Sequence, residues 1–199
     1  MLAASPYFSI ESSQLFSVLR LQSADGTNRL TRACVESLRE VVEHLAHNPK
    51  PLIVTGNLKF FSAGADLQEI SALTGAAAFE FARNGQDLLN TIEQFPAPVY
   101  AAIEGYCMGG GLDLALACRR RIASPHAVFG HRGAALGLIT GWGGTQRLPR
   151  LIGKAPALAM LVAAEKFPAD AALQAGLVDA VVSDPIAEAG RRIQSSIRH

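Results

Sequence analysis

The sequence has few cysteines and almost no excess charge. Its three cysteines, Cys34, Cys107 and Cys118, form no Cys-x-x-Cys pair and are odd in number, which argues against a disulfide framework or a zinc site. The 18 basic and 17 acidic residues leave a net charge of +1, so there is no electrostatic basis for binding nucleic acid or an anionic membrane. The composition therefore predicts a cytoplasmic protein with no nucleic-acid or membrane partner and no metal.

The sequence also lacks long apolar runs and the common nucleotide-binding motifs. No apolar run approaches the roughly 18 residues of a membrane span, and residues 1–10 have no leader pattern. There is no Gly-Lys-Ser/Thr, and the glycine-rich stretch 137–149 lacks the third glycine of a dinucleotide fingerprint. With 199 residues, of which 49% are hydrophobic, the chain can form one large domain with a sizeable core.

One stretch, residues 103–118, organises the rest of the chain. It follows an apolar run, 98–103, that predicts a buried strand, and it continues through three glycines, 109–111, into a run typical of a buried helix. Free N–H groups at a helix start bind an anion, or an oxygen that becomes one during reaction. Asp113 adds a carboxylate beside that point. The alternatives are that the glycines only allow close packing and that Asp113 is a solvated helix-start acid.

A second turn of small residues follows an earlier strand. Residues 15–21 and 51–55 predict parallel strands on either side of a helix over 32–47. Small residues 62–65 then lie where a strand ends, and a helix is expected to begin near Ala65. Because the carboxyl ends of parallel strands share one edge of a sheet, the two turns can direct two N–H groups to one point.

The remaining patterns predict short alternating elements of an α/β protein. They are a helix over 76–94, short extended pieces within 122–130, helices over 151–164 and 169–175, a strand over 177–182 and a helix over 186–197.

Four segments together resemble one known family. They are Phe-Ser-Ala-Gly-Ala-Asp-Leu at 61–67, Gly-Tyr-Cys-Met-Gly-Gly-Gly at 105–111, Gly-Gly-Thr-Gln-Arg-Leu-Pro at 143–149 and Ala-Ala-Leu-Gln-Ala-Gly-Leu-Val at 171–178. In this order they resemble the enoyl-CoA hydratase/isomerase (crotonase) superfamily. The resemblance implies an α/β fold in which a spiral of ββα turns with stacked sheets spans residues 1–150. A shortened C-terminal helical region is expected over residues 151–199.

The resemblance also implies an acyl-CoA thioester enzyme, with hydration of a 2-enoyl-CoA as the family default. Coenzyme A enters as part of the substrate, so no separate cofactor is expected. The family's two oxyanion-hole N–H groups map onto Ala65 and Gly110, and its first catalytic glutamate maps onto Asp113. Losing one such donor typically costs about 3–4 kcal/mol. The candidate substrate-binding residues are Ala63, Asp66, Leu67, Gly109, Gly133, Trp142 and Arg29.

Two departures from the family pattern leave the reaction open. The family's second glutamate falls at Gly133, and the further acid of some isomerases falls at Gly141. His131 lies two residues from Gly133 and is of a type that titrates near neutral pH; it is alternatively a surface or structural histidine, or an anion fills the space. A single acid suits double-bond isomerisation, and a non-catalytic CoA-thioester-binding protein is a further alternative.

Other departures concern coenzyme A binding and assembly. The basic residue expected near the CoA phosphates is missing, and Arg29 is close enough in sequence to replace it. A shortened C-terminal region is expected to leave apolar surface exposed. Such surface predicts either an oligomer or poor solubility, and the resemblance implies a homo-oligomer, a trimer or a multiple of trimers.

Overall fold

The computed structural model describes residues 5–164 and 166–197; residues 1–4, 165, 198 and 199, which include both chain ends, lie outside the described part. In chain order, its strands are β1 (Phe8–Ser12), β2 (Ser17–Leu21), β3 (Arg29–Leu30), β4 (Leu52–Thr55), β5 (Phe60–Ser62), β6 (Gly64–Ala65), β7 (Val99–Ile103), β8 (Tyr106–Met108), β9 (Arg120–Ala123), β10 (Val128–Gly130), β11 (Phe167–Pro168) and β12 (Ala180–Val181). Its α-helices are α1 (Arg32–Ala46), α2 (Leu67–Ser71), α3 (Gly75–Glu93), α4 (Gly110–Ala117), α5 (Gly144–Ile152), α6 (Lys154–Ala163), α7 (Ala169–Gln174) and α8 (Pro185–Ile197). A short 3₁₀ helix covers Ala134–Leu136. Within this part of the chain, no helix combines the length and apolar character needed to cross a membrane.

The described strands form a six-stranded sheet, a four-stranded sheet and a parallel two-stranded sheet of β3 and β6, and the first two alternate along the chain. The large sheet has the order β1-β2-β4-β7-β9-β12, antiparallel only between β1 and β2. The smaller sheet has the order β11-β10-β8-β5, antiparallel only between β10 and β11. Successive units give their first strand to the large sheet and their second to the smaller one: β4 and β5, β7 and β8, β9 and β10. The chain therefore winds repeatedly from one sheet to the other.

The central strand β7 and the helix α1 form where their residue patterns predict them. All five residues of β7 are buried, as expected for a parallel strand covered on both faces. Helix α1 begins after Thr31, whose hydroxyl accepts a hydrogen bond from the Cys34 N–H at 3.2 Å. Its apolar positions, including Val35 and Leu38, recur at helical spacing and are buried. Strands β2 and β4 are parallel, so the predicted β-α-β unit is confirmed.

The structure corrects several element boundaries. The helix expected over 151–164 is two helices, because Gly153, with φ of +89°, ends α5 at Ile152 and precedes α6. The strand expected over 177–182 is reduced to β12, since the N–H groups of Leu177 and Val178 donate to the Ala172 carbonyl at the end of α7. The helix expected near Ala65 begins two residues later at Leu67. Strands β1, β3, β6, β8 and β11 were not predicted.

Candidate active site

A mostly apolar cavity of about 600 Å³ is lined by α2, α3, α4 and the segment 131–142. Most of the predicted site residues line this cavity: Ala63, Ala65, Leu67, Gly109, Gly110, Asp113, Gly133 and Trp142. His131 also lines it. The ionisable side chains of the lining are those of Asp113, His131 and Arg132. The structure therefore gathers scattered segments of the sequence around one concave surface.

The two predicted glycine turns meet at one wall of the cavity. Gly64 has φ of +92°, and a Cβ there would lie 2.6 Å from the Met108 carbonyl oxygen and 2.9 Å from the Gly110 nitrogen, so the turn requires glycine. A Cβ on Gly110 would lie 3.2 Å from the Ala65 nitrogen. The backbone nitrogens of Ala65 and Gly110 are therefore neighbours with no side chain between them.

Gly110 supplies an N–H group at the start of a helix. It is the first residue of α4, where the helix itself offers no acceptor. Within residues 5–164 and 166–197, no backbone carbonyl accepts a hydrogen bond from this N–H. The positive end of the α4 dipole adds to its attraction for a negative oxygen.

Asp113 lies in the first turn of α4, and its side chain is only 2% exposed. Its Oδ2 accepts a hydrogen bond of 2.6 Å from the Thr140 hydroxyl. Its Oδ1 has no partner among the described residues. Gly144 provides the space for this carboxylate, because a Cβ there would lie 2.2 Å from Oδ1. Asp113 is therefore not a solvated helix-start acid, and one of its oxygens is held while the other is free.

His131 lies opposite Asp113 on the segment after β10. It is buried, with 7% of its surface exposed, so it is not a surface histidine. Its Nε2 lies 3.6 Å from Oδ2 of Asp113, beyond hydrogen-bond distance, and has no hydrogen-bond partner in the described part of the chain. The structure thus brings the two ionisable groups singled out from the sequence into one pair.

Gly133, at the family's glutamate position, is closed to a side chain by its own loop. A Cβ there would lie 2.8 Å from the Leu138 carbonyl oxygen. The Gly133 carbonyl accepts hydrogen bonds from the Leu136 and Leu138 N–H groups, each 2.8 Å long, which fix this compact turn. By contrast, a Cβ on Gly141 would meet only the Ala82 methyl group, at an ordinary contact distance of 3.5 Å.

Trp142 is packed between two helices behind the donor groups. A Cβ on Gly110 of α4 would lie 2.5 Å from the indole ring, and one on Gly85 of α3 would lie 2.1 Å from it. The indole N–H donates to the Phe81 carbonyl at 3.2 Å, which satisfies its polar atom. Trp142 is 4% exposed, so it forms part of the core as well as part of the cavity wall.

Asp66 and Arg29 lie outside the cavity lining. Asp66 caps α2 by accepting hydrogen bonds from the Gln68 N–H at 2.8 Å and the Glu69 N–H at 3.2 Å. Arg29 lies 3.1 Å from Asp66 and also pairs with Asp25. Its guanidinium holds the pKa of Asp25 well below the usual range. A role for either residue in binding substrate remains a prediction.

Sequence reasoning missed Thr140 and the function of Gly144. Thr140 meets Asp113 only through the fold, since the two are distant in sequence and a lone threonine in a glycine-rich loop gives no signal. Gly144 belongs to one of the four quoted segments, so a signal was present. Its spatial role, leaving room for a carboxylate, needed the structure.

Two adjacent backbone nitrogens beside a buried carboxylate define a site that can polarise a carbonyl oxygen and move a proton. The chain belongs to the enoyl-CoA hydratase/isomerase family, whose model matches residues 11–193. The predicted family is therefore confirmed.

Named relatives and solved structures agree with this assignment. The chain is 38% identical over 179 residues to a probable enoyl-CoA hydratase from Bacillus subtilis, covering 88% of this chain and 69% of that protein. It is 38% identical over 176 residues to a crotonyl-CoA hydratase from Syntrophomonas wolfei, covering 87% and 68%. The structure of DspI from Pseudomonas aeruginosa matches with a TM-score of 0.94 and 34% identity over 100% of this chain and 83% of that one. An enoyl-CoA hydratase from Thermoplasma volcanium matches with a TM-score of 0.92 and 31% identity over 98% and 79%. The predicted crotonase-like α/β fold is confirmed.

Proposed function

We propose that this chain is an acyl-CoA thioester enzyme that hydrates a 2-enoyl-CoA. Its family and its relatives named as hydratases support this reaction. The observation that carries the proposal is the adjacency of the Ala65 and Gly110 nitrogens at a wall that also holds the buried Asp113. Coenzyme A is part of the substrate, and no separate cofactor is invoked.

The backbone donors act on the thioester oxygen. When water adds at Cβ, negative charge moves through the double bond to that oxygen and forms an enolate. The N–H groups of Ala65 and Gly110 would donate to it from fixed positions, so no reorganisation is needed during the reaction. Removing one donor of such a pair typically costs about 100- to 1000-fold in kcat.

Asp113 is the proposed acid/base, because it is the carboxylate that lines the cavity. Its free Oδ1 can exchange a proton while Thr140 holds Oδ2. The apolar remainder of the cavity suits an acyl chain. Ala63, Leu67 and Gly109 would contact the thioester end, Gly133 would face the reacting carbons, and Trp142 would support the donors from behind.

Double-bond isomerisation is the second candidate. It is favoured by the closed position at Gly133 and by the absence of a side chain at Gly141, which together leave one carboxylate in the cavity lining. A single carboxylate can remove a proton from one carbon and return it to another. A CoA-thioester-binding protein without turnover is the third candidate.

One experiment separates these candidates. Crotonoyl-CoA is incubated with the protein in deuterated water, and the mass of the product is measured by mass spectrometry. Asp113→Asn is the matched variant. We expect addition of one water, reduced by about 100-fold or more in Asp113→Asn, while the variant still binds CoA thioester. Deuterium uptake without water addition would favour the isomerase. If the mass of the substrate does not change although the protein still binds it, the third candidate, a CoA-thioester-binding protein without turnover, would be supported.

We also propose that the protein works in the cytosol as a homo-oligomer, a trimer or a multiple of trimers. Burial raises the pKa of the Cys34 and Cys118 thiols to about 12, so both stay protonated and unreactive. All three cysteines are free, as proteins of a reducing compartment commonly have them. Large apolar side chains are exposed around the 3₁₀ helix and α6, among them Ile139 at 78% and Val162 at 65%, and such surface favours association. Size-exclusion chromatography with light scattering measures the assembly directly; a monomer would contradict the proposal.

A further inference from the structure

We propose that His131 is the second acid–base residue of this site and delivers the proton that the missing family glutamate would supply. The inference rests on the proposed hydratase function. It concerns which side chain donates a proton to the substrate. Asp113 is the one acidic side chain in the described cavity lining, so a second donor has to be a residue of another type.

The first argument is an unsatisfied pair of polar atoms. His131 Nε2 and Asp113 Oδ1 are both buried, and within residues 5–164 and 166–197 neither has a hydrogen-bond partner. Buried polar atoms are rarely left unpaired in folded proteins. A histidine with only a packing role would be more stable with a hydrogen-bond partner. Two such atoms at the wall of one cavity indicate polar groups that meet their partner only when substrate and water are bound.

The second argument is the distance between the two residues. Nε2 lies 3.6 Å from Oδ2 of Asp113. Catalytic hydrogen bonds are often long in the free enzyme and tighten when substrate binds. A shortening of less than 1 Å would bring the pair within hydrogen-bond distance, so that a proton can pass directly between them.

The third argument is that the surroundings offer no competing acid or base. Arg132 is the one further charged group in the cavity lining described. Cys107, on the neighbouring strand β8, has a pKa raised well above its ordinary value by burial, so it stays protonated. Gly133 excludes a side chain at the usual position. His131 is therefore the group placed to pair with Asp113.

The proposed step balances with one proton held by the pair. The Asp113 carboxylate takes a proton from water as the water oxygen bonds to Cβ, and the enolate charge moves to the thioester oxygen. The imidazolium of His131 then gives its Nε2 proton to Cα, the enolate C=C bond between Cα and the thioester carbon becomes a single bond, and the thioester C=O double bond is restored. The Asp113 carboxyl then turns so that the proton taken up at Oδ1 faces Nε2 and passes to His131, which restores the starting state without any co-reactant.

His131→Gln tests the inference, since glutamine keeps polarity and approximate size but carries no transferable proton. The exposed His126 lies outside the cavity lining, so His126→Gln is the matched control. We expect His131→Gln to lower the rate of water addition to crotonoyl-CoA by about 100-fold or more. Binding of CoA thioester and the unfolding temperature should stay close to wild type, and His126→Gln should match wild type throughout.

A second variant guards against a purely structural effect. His131→Ala is assayed with and without added imidazole, and partial recovery of water addition would support proton transfer by the ring. A wild-type rate in His131→Gln would overturn the inference, and so would a loss of binding as large as the loss of turnover. A wild-type protein that binds crotonoyl-CoA but adds no water would instead contradict the proposed hydratase function itself.

Discussion

The cavity has two walls that are built in different ways. The donor wall consists of main chain at Gly64, Ala65, Gly109 and Gly110. The acid–base wall consists of side chains from separate segments, Asp113, His131 and Thr140. On the donor wall, the absence of Cβ atoms at Gly64 and Gly110 lets two turns approach each other, so the geometry depends on glycine at these two positions. On the acid–base wall, the geometry depends on a hydrogen bond and on a loop. The donor groups therefore depend on backbone geometry, whereas the acid–base groups depend on side chains that the fold brings together from separate segments.

The largest effect should come from adding one methyl group to the donor wall. In Gly110→Ala the new Cβ would lie 2.5 Å from the Trp142 ring and 3.2 Å from the Ala65 nitrogen, so the ring or the turn must move. We expect water addition to fall by about 100- to 1000-fold, because misplaced donors lose enolate stabilisation. Steady-state kinetics measure it. Gly75→Ala is the control, since a Cβ there meets nothing within 4 Å; equal rates in both variants would argue against a fixed donor wall.

A smaller effect is expected from a methyl group on the acid–base wall. In Gly144→Ala the Cβ would lie 2.2 Å from Asp113 Oδ1, and the carboxylate must rotate or shift to avoid it. A short carboxylate side chain adjusts more easily than the large, buried Trp142 ring, so we expect a loss of roughly 10- to 100-fold in kcat. Stopped-flow or steady-state assays with crotonoyl-CoA measure this loss. A larger loss of kcat in Gly144→Ala than in Gly110→Ala would contradict the prediction that the donor wall is the more sensitive of the two.

The smallest effect concerns the hydrogen bond that holds Asp113. Thr140→Val removes the hydroxyl that donates to Oδ2, and a hydrogen bond to a charged group contributes about 1.5–3 kcal/mol. Because Asp113 remains in place on α4, we expect only about a 10-fold fall in kcat, with KM little changed. Thr140→Ser, which keeps the hydroxyl, should recover most of the rate. A serine variant as slow as the valine variant would show that packing, and not the hydrogen bond, matters there.

The donor wall was accessible from the sequence and the acid–base wall only in part. Glycines 109–111 and the small residues 62–65 each mark a local turn, and the parallel arrangement of the strands brings the turns together. Asp113 could be placed because it lies on the helix that one turn begins. The Thr140 contact could not, since it depends on where the segment 131–142 folds back. No pattern of neighbouring residues encodes such a long-range contact.

The boundaries of helices and strands show the same difference, with Gly153 as an exception: those set by a local residue pattern were predicted, and those set by contacts with other elements were not. The large-sheet strands with uniform apolar runs, such as β7, were predicted closely. The apolar residues Leu177 and Val178 were predicted to lie in a strand, but their N–H groups donate to the Ala172 carbonyl near the end of α7. The break at Gly153 was visible as a glycine within an apolar helical run, and it was missed because the apolar pattern continued beyond it.

The loop at Gly133 has a consequence for redesign. A protein engineer who wished to restore the family's second glutamate would naturally exchange this one residue. The new Cβ would meet the Leu138 carbonyl, which is main chain and cannot swing aside as a side chain can. The repair is therefore not a single mutational step: the loop has to be rebuilt before the glutamate can be introduced, beside His131, whose Nδ1 would lie 3.5 Å from the new Cβ.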